Sequence, residues 1–358
     1  MMTLTLALLA CVASGNAFAA EIVFDGIDVY GTDRLTVEDA NRRYGKSIRE
    51  LVKLRSRDTK AALRSSEALR ERSESQIRTD WGFAWTRLTY SDYYADGAHK
   101  AFVSVDVVES KDRPARLAFR KAPTGSVPDP GGLINAWGKY MELGWKLFKD
   151  GALSVSHDNC LSFFCEWGAQ TPELRKYEEL FVAQSKVHRD ALVKAMREDK
   201  EPSKRAAATY LLAYLPDANE SARIVADALD DPDVDVRSAA LRIYADYAVH
   251  HKEVFLPITR LQAALDFPTA DDRNKAMAVV AGMASNPIHR RFLILKMGER
   301  ILHLMQSRQP AISDTAYAAM GILAGESYDR RDNVSWQRWL ERAQTQELAK
   351  PEVDGSAQ

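Results

Sequence analysis

The chain has 358 residues, 46% of them hydrophobic and 28% charged, which is a globular composition long enough for more than one domain. Its formal net charge is -1 with acids and bases interleaved, so the bulk electrostatic signature of a nucleic-acid or anionic-membrane binder is missing, and no nucleic-acid partner is expected. The local basic run Arg42, Arg43, Lys46, Arg49, Lys53, Arg55 and Arg57 reads as a solvated helix face.

Residues 1–19 read as an export signal: Leu4 to Val12 is a short apolar core, and Ala17-Phe18-Ala19 supplies the small-x-small cleavage pattern ahead of Ala20. Leu8-Leu9-Ala10-Cys11 also resembles a lipobox, which makes a lipid anchor through Cys11 the alternative. No later stretch is long and apolar enough to cross a bilayer. The expected location is therefore the periplasm or the exterior, or the envelope if Cys11 is lipidated.

Residues 21–110 read as an α+β module. Glu21 to Gly31 is a strand, about Val37–Leu54 and Thr59–Thr79 are helices, and an aromatic, β-branched stretch leads to Asp96-Gly97, a hairpin signal. The following "KAFVSVDVVES" alternates Val103, Val105 and Val107 with Ser104 and Asp106. The order βααββ suits a small sheet with helices on one face. On Ile27-Asp28-Val29-Tyr30-Gly31, Trp81-Gly82-Phe83 and Val103 through Glu109, the segment resembles a polypeptide-transport-associated (POTRA) domain. That resemblance implies an exported protein-binding module whose partners add a strand to the sheet edge. Such domains usually precede an outer-membrane barrel, and no barrel-like strand series follows.

Residues 111–132, including "RKAPTGSVPDPGG", form a linker by composition. Residues 133–185 are a helical connector in which Ile134, Trp137, Met141, Trp145 and Phe148 fall at helical spacing, as core or docking residues. It carries Cys160 and Cys165. In an exported chain a close, even pair is most simply a disulfide, and the geometry then demands a turn between them, because five residues along one helix separates them too far. Free thiols, or a metal held with His157 as H-x2-C-x4-C, are the alternatives, and the spacing fits no common zinc knuckle.

Residues 186–345 repeat a helix. Its starts are Arg205, Arg237, Arg273 and, with the basic residue replaced, Asp314, spaced by about 32, 36 and 41 residues. Positions two, three, six, seven and ten after each start are apolar: Ala207, Ala208, Leu211, Leu212 and Leu215 in the first, Ala239, Ala240, Ile243, Tyr244 and Tyr247 in the second. Lys275 is the main misfit of the third. A hairpin that cannot bury its own apolar face buries it by stacking on the next. Asp231, Asp233 and Asp235 sit in a turn where they can cap the following helix.

"LDDPDVDVRSAALRIYA" resembles the HEAT repeat, in the form also seen in phycobilin-lyase-like HEAT proteins. The resemblance implies an all-α solenoid in which Arg205, Arg237 and Arg273 form an inter-repeat ladder with the turn acids. Trp336, Trp339 and Leu340 would close the stack, and residues 346–358 would be a disordered tail.

No Gly-rich phosphate loop, G-x-S-x-G, H-E-x-x-H or His-Glu dipeptide is present. His250-His251 reads as a polar helix end, and Asp271-Asp272 as helix-start residues. No catalytic residue, cofactor or metal is expected. The reading is a non-enzymatic scaffold that binds another protein through the repeat surface, with a lyase-like or chromophore-handling protein as the alternative. Tyr210, Tyr214, Ser238, Arg242, Asp246 and Asn274 lie one, five or nine places after a start, outside the apolar set, and are the candidate partner contacts.

Overall fold

The computed structural model describes residues 22–57, 59–154, 157 and 159–350. The expected export signal, Cys11 and the final eight residues lie outside them.

The N-terminal module has the expected order: β1 (Val23–Tyr30), α1 (Val37–Ser56), α2 (Lys60–Trp81), β2 (Trp85–Ala95) and β3 (Ala98–Val108). Thr36 and Thr59 start the two helices, their side chains accepting from the N–H of Asp39 and of Ala62. The β2–β3 hairpin turns at Asp96 and Gly97, both at positive φ. β3 is the central strand, parallel to β1 and antiparallel to β2. Val103, Val105 and Val107 pack with Ile48, Leu51 and Ile77 of the helices.

The other face of β3 departs from the expected half-covered sheet. Phe102, Ser104, Asp106 and Val108 are also buried, and the Asp106 side chain meets the helical half of the molecule. The polar alternation that reads as a solvent face is an internal interface.

The helical half follows. α3 (Arg113–Arg116) and an extended stretch lead to α4 (Leu133–Lys149), α5 (Pro172–Gln184), α6 (Arg189–Glu198), α7 (Pro202–Leu212) and α8 (Ala218–Val225). Then come α9 (Val234–His250), α10 (Ile258–Ala264), α11 (Ala270–Ala284), α12 (Pro287–Phe292), α13 (Gly298–Met305), α14 (Pro310–Ala324) and α15 (Asn333–Ala349). The repeated helices α7, α9, α11 and α14 pack in that order, each against the next. Their shared apolar positions form one core, from Ala208 and Leu211 through Ala240 and Tyr244 to Val280 and Met320.

The fourth start moves by one residue. In α7, α9 and α11 the starting arginine lies four residues after the N-cap at Glu201, Asp233 or Thr269. The N-cap of α14 is Gln309, which makes Ser313 the equivalent position. Ser313 is buried, whereas Asp314 is exposed and pairs with Arg330 at 2.6 Å.

The stretch expected as a linker is laid along the repeat turns. Arg120 N–H donates to the Asp230 carbonyl at 2.8 Å, and the buried Val127 donates to Asp199 Oδ2 at 2.8 Å. At the far end, Trp336, Trp339 and Leu340 are buried on one face of α15. That helix runs on to Ala349, past the boundary expected for the tail. Buried Glu347 explains the extension: its carboxylate holds Lys350 at 2.6 Å, and its carbonyl accepts from Arg291 at 2.6 Å.

Candidate functional site

The buried arginines form a row of ion pairs, the first two of them bidentate. Arg205 Nε and Nη2 donate to the two oxygens of Asp231 at 2.8 and 2.7 Å, and its Nη1 reaches back to the carbonyls of Asp199 and Lys200. Arg237 repeats the pattern on Asp272 at 3.0 and 2.7 Å, with Nη1 on the Asp231 and Pro232 carbonyls. Bidentate pairing uses the planar guanidinium fully and fixes the spacing of neighbouring helices. Burial pushes Asp231 up, but hydrogen bonds from Arg205 and Arg120 outweigh it and hold the carboxyl below its usual range.

Arg273 keeps the backward reach, to the Phe267 and Pro268 carbonyls, but its carboxylate comes from the other half of the chain. Asp106 of β3 accepts from Nη2 at 2.6 Å, and its second oxygen accepts from Thr89 Oγ1 and from Ala270 N–H. Tyr30 of β1 presents its ring to the same guanidinium, 3.4 Å from the guanidinium carbon to the ring centroid.

The candidate contacts divide along the row. Over α7 and α9 they are covered by the chain's own connector. Tyr210 is half-buried, stacked at 4.8 Å on Trp137 and at 5.6 Å on Phe164. Tyr214 is fully buried and donates to Glu178 Oε1 at 2.9 Å, so it is a core residue and not a contact. Ser238 is buried as well. Arg242 remains exposed but pairs with Glu166, and Asp246 faces His157 at 3.2 Å. Over α11 and α14, Asn274 is partly exposed and Ala318 in the corresponding row is exposed.

The connector is held by a polar core invisible in the repeat pattern. Glu178 of α5 is fully buried and accepts from Tyr140 at 2.5 Å as well as from Tyr214. Tyr140 Oη in turn accepts from the N–H groups of Trp167 and Gly168 at 2.8 and 3.1 Å. Desolvation raises Glu178 to about 7, against the lowering effect of its two tyrosine donors. Cys160 and Cys165 lie in the loop that delivers Trp167, at disulfide distance, with their Cα atoms 5.5 Å apart across a turn.

Sequence reasoning places the arginines and the cysteine pair. It misses Asp106, Glu166 and Glu178, each an isolated acid whose partner lies far along the chain. It also reads His250 only beside His251, whereas the i, i+4 spacing from Asp246 to His250 is the informative one. Among the described residues, no helix is long and apolar enough to cross a membrane.

The chain matches no family model, no curated protein and no solved structure.

Proposed function

We propose that the protein is an exported, non-enzymatic adaptor that binds another protein along the outer row of a HEAT-like solenoid, with the POTRA-like module docked against its turns. The observation that carries this reading is the arginine row. Two buried forks, Arg205–Asp231 and Arg237–Asp272, tie α7, α9 and α11 side by side, and a third buried pair, Arg273–Asp106, ties α11 to β3. A row built this way presents a rigid surface of fixed pitch, which suits recognition of an extended partner.

The connector supports the same reading from within the molecule. Aromatic and acidic side chains of residues 133–185 occupy the row positions of α7 and α9, which are Tyr210, Arg242 and Asp246. The row continues over α11 and α14 at Asn274 and Ala318, where the partner is placed. The thiol-ligating alternative requires a free cysteine, and both described cysteines lie at disulfide distance from each other.

The test is affinity capture from the native extract with a chain beginning at Ala20, alongside Asn274→Arg and Ala318→Arg. The expected outcome is a specific captured protein that both variants lose while melting as the parent does. Capture unchanged by both substitutions refutes the placement of the surface, and a substrate turned over by the purified chain refutes the adaptor reading.

A further inference from the structure

Where the connector meets the end of α9, three metal-competent side chains converge. His157 enters from the connector, and Asp246 and His250 stand one turn apart on α9. Their ligand atoms all lie within 4.8 Å of one another. His157 Nδ1 is 3.2 Å from Asp246 Oδ1, and His250 Nε2 is 3.8 Å from the same oxygen. The two imidazole rings stack in parallel with centroids 4.0 Å apart.

One further atom marks the cluster as incompletely satisfied. Asp246 Oδ2 is shielded from solvent and has no hydrogen-bond partner among the described residues. An ordinary polar contact leaves few such atoms unpaired, since each carries a desolvation penalty. A cation seated between the rings and the carboxylate removes that penalty at Asp246.

We propose that His157, Asp246 and His250 form a divalent transition-metal site, suited to zinc, that pins the connector to α9. Two imidazoles and one carboxylate are a ligand set that favours zinc or its neighbours over calcium or magnesium, which prefer oxygen. Donors about 2.1 Å from a tetrahedral ion stand roughly 3.3 Å apart. The His157–Asp246 separation is already there, the His250–Asp246 separation is about half an ångström longer, and the two imidazole nitrogens, within 4.8 Å of each other, come to that distance as the stacked rings splay. Three protein ligands leave a fourth position for water or for a partner's side chain. The ion would act beside the Arg242–Glu166 pair, one turn earlier on α9, which joins the same two elements.

The test uses the full mature chain, unreduced and alkylated with iodoacetamide so that no free thiol contributes. Zinc chloride is titrated by calorimetry, and cobalt chloride is followed by its visible absorption. The expected result is one saturable equivalent, tetrahedral cobalt bands and slower proteolysis of the connector in zinc. Asp246→Asn and His250→Gln should each weaken zinc about a hundredfold. His250 is exposed, so its replacement leaves the fold intact and keeps the comparison valid. No saturable uptake, or uptake that both variants leave within about twofold, overturns the site. That result would leave the adaptor reading standing, because capture through Asn274 and Ala318 does not pass through these ligands.

Discussion

The Asp106 carboxylate, on the central strand of the N-terminal sheet, accepts from Arg273 Nη2 on α11 at 2.6 Å across 167 positions of sequence. It serves Arg273 as Asp231 serves Arg205 and Asp272 serves Arg237. The N-terminal module therefore completes the arginine row instead of hanging from a tether, and the two halves share one buried ionic contact. Tyr30 over the guanidinium and Ser307 Oγ donating to Asp28 at 2.9 Å flank that contact on the same side of the sheet.

Removing one partner of such a pair leaves the other charged and buried. Asp106→Ala is expected to cost about 3–5 kcal/mol in urea unfolding. The double variant Asp106→Ala with Arg273→Met removes both charges and should recover a large part of that loss. Trypsin should cut around residues 111–120 faster in the single variant than in the parent. Additive losses in the double-mutant cycle would show that the contact does not couple the halves.

Much of this architecture is legible in the sequence because local chemistry specifies it. Thr36 and Thr59 announce their helices, Asp96-Gly97 announces its hairpin, and three arginines at a repeating offset announce buried positions. What is illegible is whatever depends on a distant segment. Asp106 alternates with valines as a solvent-facing residue would, and only the arrival of α11 makes it internal. Tyr210 and Tyr214 lie outside the face that packs repeat on repeat, and no periodicity within α7 can tell that Trp137 and Glu178 cover them. The fourth start failed for a different reason: matching a charged residue to the arginines selects Asp314, whereas spacing from the helix cap selects Ser313.

Glu178 makes stability depend on pH. Its folded carboxyl titrates near 7, against an ordinary value of 4.5, because burial disfavours the charge. A raised acid stabilises the fold fully below its unfolded value, and that contribution is lost as pH rises through the folded one. Stability should therefore fall between about pH 4.5 and 7, by up to about 3 kcal/mol from this group, and level off above. Glu178→Gln should remove that slope while keeping an acceptor for Tyr140 and Tyr214. Unfolding free energies across this window check it, and a slope that survives in the variant would assign the effect elsewhere.

Two helical glycines should respond in opposite directions to the same substitution. A Cβ on Gly282 of α11 would stand 2.8 Å from Ala248 Cβ and 3.1 Å from the Ala248 carbonyl carbon, so the glycine is what lets α9 and α11 approach. A Cβ on Gly321 of α14 meets nothing within 4 Å. Gly321→Ala should gain about 1 kcal/mol, the usual helix preference for alanine. Gly282→Ala gains the same preference but incurs an overpacking cost of about 1–3 kcal/mol, for a net loss of about 1 kcal/mol. Paired thermal melts decide between this and a uniform propensity effect, in which both variants would stabilise.

The cysteine pair allows a test of how the connector is held. Closing so short a loop should stabilise the fold by about 2 kcal/mol through the unfolded chain. The bridged loop also presents the Trp167 and Gly168 N–H groups to Tyr140, which holds Glu178. Reduction should therefore lower the melting temperature and loosen the connector, seen as faster proteolysis between α4 and α5. The variant carrying Cys160→Ser and Cys165→Ser should melt where the reduced parent does and ignore reductant. If the unreduced chain beginning at Ala20 titrates two thiols, the cysteines are close but not joined, and reductant should leave parent and variant melting alike.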